Sequence, residues 1–156
     1  MKVFELLEEK FILTDFKSFK KEDLINELID LHSGNELVVN LEDVRNAVLD
    51  REKIMSTGVG KGFAIPHGKT NSIKDIIAAF GKTTHPVDYD ALDGEPVHLV
   101  FLLVGKDTLV SKHIKSLSRI SRLMNKDEFR QKLVDAKSKN EILKIFEEEE
   151  KNYSDV

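Results

Sequence analysis

The sequence contains no cysteine. That excludes disulfides, thiolate metal sites and a cysteine nucleophile. It has no apolar run near the roughly 20 residues that a membrane-spanning helix needs. Residues 1–10 carry acidic groups where a secretory leader needs a basic start and an apolar stretch. A cytoplasmic protein is therefore expected. Positive charge is not in excess either: the formal net charge is −4. This argues against nucleic acid as the main partner. There are five histidines, but no two stand at close helix or turn ligand spacing, and no His-Glu-x-x-His occurs. A metal hydrolase built on His67, His98 and His113 is disfavoured on that ground, and no metal is expected. There is no internal repeat, low-complexity tract or linker. With 156 residues, the chain reads as one domain over 1–156, long enough to bury roughly 70% of its unfolded surface.

Glycine and proline are scarce, at eight and three residues, and their placement is uneven. Residues 56–70 hold Gly58, Gly60, Gly62, Gly68 and Pro66. A glycine-rich loop there enters a short apolar run, Phe63 to Ile65. Pro66 is expected to stop ladder pairing, because it has no N–H to donate. Gly68 permits an unusual backbone geometry or a close approach. His67 should stand at the end of a buried strand with little bulk around it, where a rigid scaffold can present a reacting group. The ending Gly68-Lys69-Thr70 also looks like a phosphate-binding P-loop. That motif requires glycine five residues before Gly68, where Phe63 stands, and a helix opening at the lysine. Pro66-His67 before it and Asn71-Ser72 after it argue against nucleotide binding.

Helical and strand patterns alternate along the chain. Residues 1–9 read as one or two helical turns, and 11–13 as a short strand. Ser18 is expected to cap a helix that runs to about His32, with Leu24, Ile25, Leu28 and Ile29 on one face. His32 then falls in the last turn, where partial positive charge suits the helix dipole. Asn40, with Asp43 three residues on, resembles a capping box for a second helix carrying Leu41, Val44, Val48 and, near its end, Arg51. A strand is expected at 76–80, a turn with an exposed histidine at His85-Pro86, and a short edge strand at 87–89. The run at 97–104 is apolar at nearly every position, as in a strand covered on both faces. His98 reads as a partly buried structural residue. Helices follow at about 111–124, with His113 in the first turn, and at 126–136. Ser138 and Glu141 cap a last helix, which carries Ile142 and Phe146. The acidic run 147–150 and the tail read as a fraying end. This order implies an α/β (α+β) domain, a mixed sheet flanked by helices on both faces.

A histidine at a strand end and a second at a helix start suit a transient phosphoryl group, which needs positioning and charge stabilisation. The dipole should keep the second imidazole neutral and able to donate. Arg51 is placed to reach an anion at His67.

Leu49-Asp50-Arg51-Glu52, then Ser56-Thr57-Gly58-Val59-Gly60 and Phe63-Ala64-Ile65-Pro66-His67-Gly68-Lys69, carry a resemblance. So do Leu92-Asp93-Gly94-Glu95-Pro96-Val97 and residues 113–123. Together they resemble the fructose/mannitol-type (type 2) enzyme IIA domain of the bacterial phosphoenolpyruvate-dependent sugar phosphotransferase system, over about 11–146. The resemblance implies a cytoplasmic histidine phosphocarrier without a cofactor. It implies phosphorylation of His67 at Nε2 by phospho-HPr and transfer to a cysteine of a fructose/mannitol-type enzyme IIB. It implies that His113 supports the phosphoryl group and that Arg51 lies near it. The family often has Asn where Lys61 stands, and the 105–110 loop lacks a common proline. These departures bear on partner preference. A nitrogen-regulatory branch of the same family receives phosphate and acts by binding other proteins. A non-phosphorylated binding module is the alternative from another class.

Overall fold

The apolar run at 97–104 becomes the centre of a sheet. In the computed structural model, which describes residues 2–153, strand β6 (Val97–Gly105) pairs antiparallel with β5 (Ile77–Val87), placing Phe101 opposite Phe80. Strand β1 (Ile12–Leu13) lies parallel to β5. On its other side, β6 pairs in parallel with β3 (Phe63–Ala64) and β4 (His67–Lys69). Strand β2 (Gly58–Gly60) closes that edge antiparallel to β3. The sheet is mixed and six-stranded.

Strand alternation sorts the core into two layers, because successive side chains point to opposite faces. Phe63, Ile65, Phe80, Leu99, Phe101 and Leu103 pack with helices α3 (Val110–Met124), α4 (Asp127–Asp135) and α5 (Lys139–Glu150). Ala64, Ile77, Ala79, Val100, Leu102 and Val104 pack with α1 (Lys21–Asp30) and α2 (Leu41–Ile54). The expected mixed sheet flanked by helices on both faces is what forms.

Local capping signals succeed where the partner is near in sequence. Asn40 Oδ1 accepts the N–H of Glu42 and of Asp43, and Ser138 Oγ accepts that of Glu141. Ser18 does not cap α1. The helix opens at Lys21, and Glu27 from the helix interior reaches back to accept the N–H groups of Lys17 and Ser18. The turn expected at His85-Pro86 is absorbed into β5, which shifts register between Lys82 and Val87 and so accommodates a residue without an N–H. His85 is half-buried, stacks on Phe19 and bonds the Ser18 carbonyl through Nε2.

Glu150 overturns the fraying end. Its carboxylate is fully buried and accepts the N–H groups of Val3 at 2.7 Å and Phe4 at 2.6 Å, 3.6 Å from Arg119. Val3 and Phe4 lie at the far end of the chain, beyond the reach of any local pattern. Residues 154–156 of the tail, and Met1 of the first turns, lie outside the described residues.

His32 is also corrected. It is buried to 1% exposure, stacks on Phe11, and bonds the Ala78 carbonyl through Nε2 and Asn35 through Nδ1. Burial, with Lys10 adding and the Ala78 bond opposing, pushes its pKa down to about 4. The ring is therefore neutral in the fold, not a dipole-stabilising cation. Since the folded value is depressed, the unfolded chain binds more protons between about pH 6.5 and 4. The stability contribution is present above that window and lost as pH falls through it, on the order of 3 kcal/mol. Urea denaturation at pH 7 and pH 4.5 should show the His32→Gln variant losing less stability on acidification than the wild type.

Candidate active site

Two glycines set the distances here. A Cβ at Gly68 would meet the backbone of Ala47 and Val48 at 3.0 Å, so only glycine lets β4 lie this close to α2. A Cβ at Gly105 would stand 2.1 Å from His113 Nδ1, so the end of β6 is bare to admit that ring. Pro66 lies between β3 and β4 but does not end the pairing. His67 meets Leu103 in the register that Phe63 makes with Leu99, and the Leu103 N–H donates to the Pro66 carbonyl at 3.1 Å. The ladder at this point uses the carbonyl of Pro66 and has no need of an N–H.

With that register, His67 projects to the face shared by Phe63, Ile65 and α3, while Gly68 faces α2. The rings of His67 and His113 are 6.1 Å apart, tilted by 47°. His67 is half-buried, and its Nδ1 lies 2.8 Å from the Ile65 carbonyl. A carbonyl only accepts, so this bond puts the proton on Nδ1 and leaves a lone pair on Nε2. Burial is the largest influence on its pKa and lowers it. The Ile65 bond opposes, Arg51 adds to the lowering, and Glu52 opposes. A pKa held below the ordinary imidazole value leaves the ring mostly neutral at pH 7.

His113 is 5% exposed and its Nδ1 has no hydrogen-bond partner among the described residues. Burial, then repulsion from His67 when that ring protonates and from the Lys69 ammonium, push its pKa down to about 4. Burial, rather than the helix dipole alone, is what keeps it neutral. Arg51, in the last turn of α2, donates from Nη1 to the Met55 carbonyl at 2.9 Å and acts on His67 electrostatically. The structure thus brings His67, His113 and Arg51 to one end of the sheet. His98 is elsewhere, in a cleft of about 380 Å³ with Lys61 and Arg130.

Sequence reading missed a buried cluster behind His67. Glu52 accepts from the Thr57 N–H at 2.7 Å and from its hydroxyl, lies 3.3 Å from the Tyr89 hydroxyl, and pairs with Lys21 at 2.9 Å. It also lines a cleft of about 530 Å³ that does not include His67. Glu52 sits in a charged helix end, where a carboxylate is ordinarily solvated, so no local signal pointed to it. Lys69 was missed as well; it shares the His67 side of β4, two residues on.

Residues 5–149 match the family model described as "Phosphoenolpyruvate-dependent sugar phosphotransferase system, EIIA 2". The chain belongs to this family. It is 36% identical to the PTS system fructose-specific EIIABC component of Bacillus subtilis, over 97% of the chain but 24% of that protein's length. It is 35% identical to a nitrogen regulatory protein of Bradyrhizobium diazoefficiens, covering 85% of the chain and 86% of that protein. The nitrogen regulatory protein IIA-Ntr of Neisseria meningitidis superposes with a TM-score of 0.86 at 33% identity, covering 92% of this chain and 98% of that one. As an EIIA type 2 domain, the chain is a phosphotransferase-system component. Among the described residues, no helix is long and apolar enough to cross a membrane.

Gly105→Ala should force the His113 ring out of its seat. Thermal denaturation should show a loss of about 1–3 kcal/mol, as for other overpacked sites. Nuclear Overhauser contacts between the His67 and His113 rings should disappear.

Proposed function

We propose that this EIIA domain is a cytoplasmic histidine phosphocarrier acting at His67. The observation that carries the reading is the His67 Nδ1–Ile65 bond, which leaves Nε2 as the free nucleophile. The Nε2 lone pair attacks the phosphorus of phospho-HPr. A new N–P bond forms as the bond to the carrier's histidine breaks, and that imidazole leaves with its electron pair. In the second step, the thiolate of a fructose/mannitol-type enzyme IIB attacks the same phosphorus, and His67 departs neutral.

His113 donates to the phosphoryl oxygens from Nε2–H. His113 Nδ1, without a partner among the described residues, points at the bare backbone of Gly105, so this reading puts the proton on Nε2. Arg51 adds positive charge from the end of α2. No cofactor or metal takes part. Phosphoryl transfer needs chiefly such positioning and charge stabilisation.

Sugar uptake through a fructose-type IIB is the first reading, supported by the match to the fructose-specific protein of Bacillus subtilis over 97% of this chain. The nitrogen-regulatory role is the second. It is supported by the match to the Bradyrhizobium protein at nearly the same identity and along most of that protein's length.

Incubation with phosphoenolpyruvate, enzyme I and HPr should add one acid-labile phosphate by intact mass, and His67→Ala should abolish it. Continued labelling of that variant would reject His67, and no labelling of the wild type would favour the binding module. His113→Ala should keep its fold while single-turnover transfer to IIB slows on the order of 10²-fold, the usual cost of losing a donor aimed at transferring charge. Wild-type transfer rates in this variant would remove His113 from the mechanism.

A further inference from the structure

We infer that Glu52 is a positioning residue for His67, acting through Thr57 and Ile65; the inference deepens the phosphocarrier reading and rests on it. Glu52 is 8% exposed, yet it carries a carboxylate into the protein. Buried carboxylates persist where donors converge on them. Here the Thr57 N–H, the Thr57 and Tyr89 hydroxyls and the Lys21 ammonium do so. Lys21 also lies 4.7 Å from the centre of the Tyr89 ring.

From this anchor the hydrogen bonds continue to the nucleophile. Thr57, held at its N–H and its hydroxyl, offers its carbonyl to the Ile65 N–H at 3.0 Å. Ile65 in turn offers its carbonyl to His67 Nδ1 at 2.8 Å. Pro66, with its fixed φ, stands between these last two residues and transmits the placement. The direction of the Ile65 carbonyl decides which imidazole nitrogen holds the proton. Glu52 thus acts at a distance on which nitrogen is nucleophilic. Its neighbour Arg51 clasps the Met55 carbonyl at 2.9 Å. Two consecutive residues therefore pin the turn that joins α2 to β2. A glutamine at 52 keeps the shape but presents one acceptor oxygen and an NH2 group that cannot accept. It cannot serve all the donors, so Thr57 loses part of its anchor.

The test reads the tautomer directly, by ring ¹⁵N chemical shifts of the histidines in the full chain. Wild type should show His67 with its proton on Nδ1. Glu52→Gln should show both tautomers in exchange, and single-turnover phosphorylation from phospho-HPr should fall on the order of tenfold or more, as small misplacements of a reacting group do. Lys21→Met removes the cation but not the acceptor, so its His67 tautomer should match wild type; this separates positioning from charge. Should Glu52→Gln fail to fold, Thr57→Val should show the mixed tautomer and Thr57→Ser should restore the single one. A wild-type tautomer and rate in Glu52→Gln, or a wild-type tautomer in Thr57→Val, would overturn the inference. Absence of phosphorylation in the wild type would instead reject the phosphocarrier reading, while the tautomers would still decide the role of Glu52.

Discussion

A slip of one residue between the 63–69 path and β6 would turn His67 toward α2 and Gly68 toward α3. The imidazole would then meet the backbone of α2 at Ala47, where even a Cβ would stand at 3.0 Å. The register is held by Phe63 and Ala64 on one side of Pro66 and by His67, Gly68 and Lys69 on the other, all paired to β6 with the same offset. The apolar identity of β6, buried on both faces, makes that register costly to change. His67 thus takes its direction from a core strand that has no chemistry of its own.

Bare backbone is the second requirement. Gly68 and Gly105 are the points where β4 and β6 yield volume, one to a helix and one to an imidazole. The two histidines are both neutral for the same reason, removal from water, but they are held differently. His67 has its Nδ1 tied to a carbonyl, and the Nδ1 of His113 has no partner among the described residues. A buried polar atom without a partner costs free energy.

Charge elsewhere is used for fastening. Glu150 binds the first turn to the last helix. The Lys82 ammonium caps the carbonyls of Leu133, Val134 and Ala136 at the end of α4. Both are long side chains that read as surface residues in a linear sequence, and both are buried in the fold.

Much of the fold is legible in the sequence. The strand at 97–104 announces itself by an unbroken apolar run, and the helices over Val44 and Val48 and over Phe129 and Leu133 and the caps at Asn40 and Ser138 rest on contacts within a few residues, which the sequence determines by itself. The glycine-rich stretch around His67 was legible for the same reason: glycine and proline act on the backbone where they stand. The tertiary structure alone decided the rest. It brought His113 within 6.1 Å of His67, carried β5 through His85-Pro86, buried His32, and drew Glu52 and Glu150 inward. Each of these depends on a partner distant in the chain. An isolated carboxylate or imidazole has no periodicity from which that partner could be read.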